Sequence, residues 1–311
     1  MRLPIRSGST ISAGMPNPMS DMTFENLQAA IIAAFPEHAS AKLTLLAEGW
    51  DSVAVDVDDR LIFKFPRHAE AERRLKTEAG LLAVIRPAVT MQVPDLTLHP
   101  GPPLFSRHPK LRGEHLLTEQ YERLPIEPQR QLAVEKARFF AELHALDERE
   151  MESAGARPID PWLPLEEILR QTWPLLPLEL RGYAERTIAA WERMPPDPHG
   201  TTYGFFDGHG WNMAFDHAAG RLNGTYDFAD SGFGPLHREF IQPSLISPDL
   251  AERIATEYEA LTGRALDHER ITLITAVMRL SELGGVAGDP TRAAKAVRTV
   301  AKWAAYQSGA W

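Results

Sequence analysis

The chain has 311 residues, 44% hydrophobic and 24% charged, the composition of an ordinary soluble globular protein large enough for one or two domains. A formal net charge of −9 argues against a nucleic-acid partner gripped through a basic surface, and the lack of cysteine excludes disulfides, thiolate nucleophiles and cysteine-ligated zinc. No apolar run is as long as a membrane span, which argues against a membrane partner.

Residues 1–22 are basic and rich in small polar residues, and they lack the apolar centre of a secretory signal. With Met15, Met19 and Met22 as possible starts, they read as a disordered extension, and the protein as cytoplasmic. Folded pattern begins with "TFENLQAAIIAAFP". Thr23 caps a helix carrying Phe24, Leu27, Ile31 and Phe35, and Pro36 stops it. "KLTLLAEGWDSVAVDVDDRLIFKFP" reads as strand, glycine turn at Gly49, strand, Asp58-Asp59 turn and strand, with alternation through Val53, Val55 and Val57. "AEAERRLKTEAGLLAVI" predicts an amphipathic helix with Leu75, Leu81 and Leu82 inward, followed by short strands in "VPDLTL" and "PLFSRHPKL".

From Gln120 helical periodicity dominates, through "EPQRQLAVEKARFFAELHAL" and "PLELRGYAERTIAAWERM". The proline- and tryptophan-rich stretch Asp147–Leu176 between them reads as an insertion. One hairpin, "GWNMAFD" and "RLNGTYDF" around "HAAG", interrupts the helices. Three more helices complete the chain; Ser247 caps the first and Gly263 ends it. Segregated strands and helices predict an α+β fold, with a β-rich part over residues 23–111 and a mainly helical part over 112–311.

The span Tyr203 to Pro235 holds Asp207, Asn212 and Asp227. Asp207 and Asn212 have the spacing D-x-x-x-x-N, which turns a carboxylate and an amide toward one metal-phosphate centre. Asp227 ends the return strand of the hairpin, where a second oxygen donor suits magnesium. Phosphoryl transfer also needs a lysine on the nontransferred phosphates and an acid to fix it. Lys64 ends "LIFKF", and Glu78 on the next helix is placed to pair with it. Gly49 stands where backbone must pass close to phosphates.

The pieces "EGWDSVAVDVDDRLIFKFPR", "RRLKTEAGLL", "LRGEHL", "AELHAL", "DGHGWN" and "YDFADSGFGP", in this order, resemble the aminoglycoside phosphotransferase (choline kinase-like) family. The resemblance runs from about Ala41 onward. It implies a protein-kinase-like two-lobed fold, with a small β-rich N-terminal lobe and a larger, mainly helical C-terminal lobe. It also implies Asp207 as catalytic base, Asn212 and Asp227 as Mg2+ ligands, and Lys64 on the phosphates with Glu78 as its partner. Gly49, Ser52, Lys110 and Leu111 join Lys64 and Glu78 as nucleotide-binding residues, with Ser106–Leu116 as the interlobe hinge. His209 matches the family's histidine after the base. One departure is Phe205-Phe206, where the family usually has His-Gly.

Two functions follow from this reading. One is a kinase transferring the γ-phosphoryl group of ATP or GTP to a hydroxyl of a small acceptor, such as an aminoglycoside or amino alcohol. The other is a catalytically quiet relative that binds nucleotide or a partner, which Phe205-Phe206 favours and the retained acids and lysine oppose. No A-P-E-type element of a protein kinase follows Asp227. The insertion and the helices after Pro248 are expected to wall the acceptor site, with Glu148, Glu150, Glu152, Asp160, Glu166, Glu167 and Glu239 as acidic candidates. His209, His217 and His237 read as loop histidines. Trp162, Trp173, Trp191 and Trp303 read as core, Asp230 as a turn-stabilising acid as readily as a catalytic one, and Glu239 also as a cap or salt bridge inside the helical part. The acceptor, the nucleotide base and the oligomeric state are left open by the sequence.

Overall fold

The computed structural model describes residues 22–46 and 51–309. Gly49, and the expected extension except Met22, lie outside these residues. The N-terminal part is one antiparallel sheet of β1 (Leu43–Leu45), β2 (Ser52–Val57), β3 (Leu61–Pro66), β4 (Thr97–His99) and β5 (Phe105–Pro109), in the order β1-β2-β3-β5-β4. The turn between β2 and β3 places Asp58 and Asp59 at φ 57° and 55°, a left-handed conformation that aspartate tolerates better than most residues. Alternation then sorts the two faces. Val53, Val55, Val57, Phe63 and Phe65 turn toward Leu27 and Ile31 of α1 (Phe24–Ala34) and form one apolar core. On the opposite face Ala54, Lys64 and Ser106 lie in register, and the long helix α2 (Ala69–Ala88) follows β3. Thr23 accepts from the Asn26 N–H as the N-cap of α1. α2 runs on through Pro87, beyond the expected end, and past the proline Val89 N–H still donates to the Ile85 carbonyl at 3.1 Å.

The remainder is mainly helical. α3 (Thr118–Tyr121), α4 (Ile126–His144), α5 (Glu148–Ala154), α6 (Leu165–Thr172), α7 (Leu178–Glu192), α8 (Pro248–Thr262), α9 (His268–Gly285) and α10 (Pro290–Gln307) enclose two cores. The larger gathers Phe139, Phe140 and Leu143 of α4 with Phe240 and with Leu250, Ile254 and Tyr258 of α8. The second joins Ile168, Ile188, Val277, Leu280 and Val300 from α6, α7, α9 and α10. The insertion is therefore structured: it contributes α5 and α6, and Ile168 anchors it in the second core.

Two short ribbons cross this helical part, where the sequence suggested one. β7 (Met213–Asp216) and β8 (Arg221–Thr225) form the expected hairpin. β6 (Thr201–Gly204) pairs with β9 (Gly232–Pro235) as a second. β6 and β9 are too short to show alternation, and their pairing spans the whole catalytic region, so only tertiary structure brings them together.

After β5 the chain crosses to the hairpin along an extended path. Glu114 and Phe215 exchange backbone hydrogen bonds of 2.9 and 2.8 Å, and Leu116 N–H donates to the Gly210 carbonyl at 3.1 Å. Gly113 sits at φ 139° against the backbone of Ala214 and Phe215, and Gly210 sits against the Leu116 carbonyl. Neither site has room for a Cβ. Among the described residues no helix is long and apolar enough to cross a membrane. Because the close approach at Gly210 is to backbone, a methyl there forces the crossing segment and the loop apart. Gly210→Ala should destabilise by about 1–3 kcal/mol, the scale of overpacking, measured by chemical denaturation; an unchanged midpoint would disprove the close approach.

Candidate active site

Lys64 is the meeting point of three elements. It lies on the inner face of β3, and its Nζ is 3.3 Å from Glu78 Oε2 on α2 and 3.3 Å from Asp227 Oδ1 beyond β8. Glu78 is buried, and its Oε1 accepts from the Phe228 N–H at 3.2 Å. One carboxylate thus ties the sheet's lysine to the segment after Asp227. Burial works against the charge on Lys64, but Asp227 and Glu78 outweigh it and hold the ammonium above its ordinary value. Burial pushes the Glu78 carboxyl up against the pull of Lys64. With an ammonium on one oxygen and an N–H on the other, the carboxylate form is the one this site satisfies.

Asp207 stands in the loop after β6. Asn212 Nδ2 donates to its Oδ2 at 2.6 Å and to its backbone carbonyl at 3.1 Å, and His209 Nε2 lies 3.2 Å from Oδ1. The Asn212 carbonyl in turn accepts from Tyr226 N–H at 3.1 Å and from Thr225 Oγ1 at 2.7 Å, so the loop is sewn to the strand that delivers Asp227. Burial raises the Asp207 carboxyl above the usual aspartate value. Phe206 at φ 54° and Asp227 at φ 72° are both non-glycine residues in the left-handed region. Such backbone costs free energy and clusters at functional sites.

Two buried charges support the loop from below: Glu239, read from the sequence as either a structural or an acceptor-wall acid, and Lys136, which the sequence reading did not single out. Glu239 Oε2 and Oε1 accept from the N–H groups of Phe205 and Phe206 at 2.8 and 2.9 Å, and His144 Nε2 lies 3.5 Å from Oε2. Glu239 is fully buried, so it cannot line an acceptor pocket as expected from its charge. Phe205, standing where the family usually has histidine, packs on Phe228 and Phe139 with ring centroids 4.9 and 6.0 Å away. The loop is therefore held by aromatic packing and by Glu239. Lys136 of α4 is fully buried among Phe139, Phe140 and Phe205, its Nζ 4.9 to 5.5 Å from the ring centres. Its Nζ has no hydrogen-bond partner among the described residues. Burial lowers its pKa to about 8, with Glu239 and Asp207 supplying the compensating negative charge.

Other expected residues fall out differently. Ser52 shares the sheet face of Lys64 through the Ala54–Lys64 register. Lys110 does not reach the site: its ammonium is held by Asp56 and Asp59 at 2.5 Å each, and its N–H is spent on the Arg60 carbonyl at 2.8 Å. Leu111 is half-buried beside the Gly224 backbone at the hairpin. His237 is no loop histidine; it is fully buried, bonded to Asp197 at 2.8 Å and accepting from Asp267 N–H at 2.9 Å.

Asp207 opens into a cleft of about 320 Å³ whose walls include Arg157, Asp160 and Trp162 from the insertion and Met278 and Glu282 from α9. This is where the acceptor wall was expected; of the acids expected there Asp160 lines it, beside Glu70, Asp230 and Glu282. Glu166 and Glu167 do not line it, and Glu167 is engaged by Arg170 and Gln171. Trp162 packs against both helical cores, as expected, and its ring also carries Arg238 at the cleft, 4.4 Å from guanidinium carbon to ring centre. Glu282 was missed altogether; a lone carboxylate in the apolar run "RLSELGG" of α9 was its signal.

A lysine–glutamate pair with a carboxylate on a loop and a second carboxylate beyond a hairpin is the residue set that phosphoryl transfer by kinases requires. The model of the phosphotransferase enzyme family matches residues 42–272, and the chain belongs to that family of phosphotransferases. Several solved structures share its fold. The GDP complex of an aminoglycoside 2'-phosphotransferase-IIIa mutant aligns with TM-score 0.80 at 20% identity, over 93% of this chain and 99% of that one. Macrolide 2'-phosphotransferase type I aligns with TM-score 0.63 at 17% identity, over 91% and 99% of the two chains. The streptomycin–ATP ternary complex of APH(2")-IIa aligns with TM-score 0.60 at 19% identity, over 89% and 97%. No curated protein matched the sequence. The fold is thus protein-kinase-like, with the antiparallel sheet N-terminal to the helical part.

Lys136 yields a measurable consequence. Its folded pKa of about 8 lies below the ordinary lysine value of 10.5, so the folded state binds fewer protons than the unfolded state between these values. Wild-type stability should therefore gain from this group as pH rises through that window, and Lys136→Met should remove that gain and raise stability at pH 7. Chemical denaturation from pH 7 to 10 checks this; parallel curves for the two proteins would refute it.

Proposed function

We propose that the protein is a small-molecule kinase that moves the γ-phosphoryl group of ATP or GTP to a hydroxyl of a small amine-bearing acceptor. The observation that carries this is Lys64 bonded to both Glu78 and Asp227, with Asp207 beside them at the mouth of a separate cleft. Glu78 orients Lys64, whose ammonium serves the α- and β-phosphates in place of its present contact with Asp227. The inner face of the sheet, with Ser52 near the phosphates and the chain around Leu111 toward the base, forms the nucleotide wall. Localisation in the cytoplasm fits, since nucleoside triphosphate is supplied there.

The donor chemistry suits Mg2+. Asn212 uses its Nδ2 on Asp207, which leaves Oδ1 as a neutral oxygen donor, and Asp227 offers a carboxylate. Among the described residues there is no cluster of three or more acidic, histidine or cysteine side chains that could hold a metal, and Mg2+ bound through phosphates needs only one or two protein ligands. Asn212 and Asp227 would hold it, and it would neutralise charge on the phosphates. Asp207 accepts the proton of the acceptor hydroxyl as that oxygen bonds to the γ-phosphorus. The bond from phosphorus to the bridging oxygen breaks, and nucleoside diphosphate leaves. The raised carboxyl of Asp207 moves its basicity toward that task.

The named ligands of related folds, kanamycin and streptomycin among them, support an amine-bearing polyol or amino alcohol as acceptor. A quiet scaffold has no chemical need for this set of contacts, and Phe205 fills the place of the usual histidine by packing. Phe205→His should leave the rate similar or raise it modestly.

Asp207→Asn should leave magnesium-nucleotide binding nearly intact and lower kcat by about 10²-fold or more. Asp227→Asn should weaken metal-dependent nucleotide binding as well as turnover. Thermal shift gives the first quantity, since ligand at a hundred times its Kd stabilises by roughly 2.7 kcal/mol. Nucleoside-diphosphate release gives the second. Full-rate transfer by Asp207→Asn would sink the mechanism.

A further inference from the structure

The charges that line the acceptor cleft do not all cancel, and the remainder describes a ligand. Most of the acids there are committed. Asp230 is bonded to Arg74 at 2.5 Å, Glu70 and Asp160 also approach Arg74, and Asp207 is held by Asn212 and His209. Glu282 differs. Its Oε1 is buried with no hydrogen-bond partner among the described residues, and it forms no ion pair within 4 Å. Burial raises its pKa to about 7, with Arg279 pulling it down and Asp207 pushing it up. A carboxylate in this state gains from an incoming cation.

The cations show the complementary imbalance. Arg74 is saturated by carboxylates, but neither Arg157 nor Arg238 forms an ion pair among the described residues. Arg157 donates to the carbonyls of Glu152 and Ala156 at 3.3 and 2.6 Å. Arg238 donates to the Asp160 carbonyl at 3.0 Å and rests on Trp162, which leaves most of its five donors unused. Burial lowers its pKa to about 10, with Asp160 a partial counterweight. Glu282 does not neutralise it: Arg279 and Asp207 are the charges that act on Glu282, and Asp160 the one that acts on Arg238. One under-neutralised anion, Glu282, and two arginines without an ion pair among the described residues, Arg157 and the more deeply buried Arg238, thus line a single cleft that also contains Asp207.

We infer that the acceptor is a zwitterionic alcohol, with its ammonium against Glu282, its carboxylate against Arg238 and its hydroxyl at Asp207. This rests on the kinase reading above and narrows it. A polycation would satisfy Glu282 but bring repulsion from Arg157 and Arg238. A neutral polyol would leave both charges unmet in a partly desolvated cleft, the costly outcome for buried ionic groups. A planar guanidinium meeting a carboxylate also supplies the bidentate geometry that fixes a small ligand's orientation.

The test is a matched series of hydroxylated amino acids of increasing length, their methyl esters, the corresponding hydroxy acids without the amine, and kanamycin as polycation. Nucleoside-diphosphate release is read for each with ATP and GTP. The zwitterion should exceed its ester and its deaminated acid by about tenfold or more in kcat/KM, the scale of one charge-assisted contact. Arg238→Gln should collapse the zwitterion-to-ester ratio, and Glu282→Gln the zwitterion-to-hydroxy-acid ratio. Each ratio is taken within one protein, so a smaller folded fraction cancels. Best turnover with kanamycin or an ester, or ratios unmoved by the two substitutions, overturns the zwitterion while the kinase stands. Absence of transfer to every member of the series overturns both.

Discussion

The site depends on one partly buried lysine shared by two carboxylates. Lys64 belongs to the sheet, Glu78 to the helix that follows it, and Asp227 to the far part of the chain, so their contacts of 3.3 Å join the sheet, α2 and the segment after β8. A buried pair of this kind is weak evidence for stability, because desolvation offsets most of the Coulombic gain. Its value lies in geometry. Glu78 meets Lys64 with one oxygen and the Phe228 N–H with the other, so the lysine's position and the direction of the Asp227 backbone are set by the same carboxylate.

The second constraint is the support beneath the loop that carries Asp207. Glu239 receives two consecutive backbone N–H groups, and Phe205, Phe139 and Phe228 fill the space below. That arrangement explains how the loop is held without the histidine that usually precedes the base. Lys136 completes the layer as a cation over aromatic faces, a contact worth more when desolvated than at a surface. The loop is thus braced by a buried carboxylate on the Phe205 and Phe206 N–H groups and by a buried ammonium against the Phe205 ring, next to the left-handed Phe206.

Much of the fold was legible in the residues. Alternation through Val53, Val55 and Val57 marked β2, the Asp58-Asp59 turn marked the next hairpin, and Thr23 and Gly263 marked helix ends, because each signal is local. The order of Lys64, Glu78, Asp207, Asn212 and Asp227 was equally visible, since chemistry restricts which residue types serve. The β6–β9 ribbon was not, because four-residue strands paired across the catalytic region have no local signature. The surroundings of Lys110 were hidden for a related reason: its partners, Asp56 in β2 and Asp59 in the turn that follows, are brought to it only by the sheet's register.

Sequence alone therefore determined the α+β class of fold and the exclusion of cysteine chemistry, which follow from composition and from patterns a few residues long, and it showed Lys64, Glu78, Asp207, Asn212 and Asp227 in the order that the family resemblance requires. Tertiary structure decided which acids are available. Glu239 and Glu282 are both carboxylates on the helical side of the chain, and nothing nearby in sequence tells them apart. Packing turns Glu239 inward onto two backbone N–H groups, while Glu282 lines the cleft and keeps one buried oxygen without a hydrogen-bond partner among the described residues. The free energy of a charge is set by its surroundings in three dimensions, and those surroundings come from segments far apart in the chain.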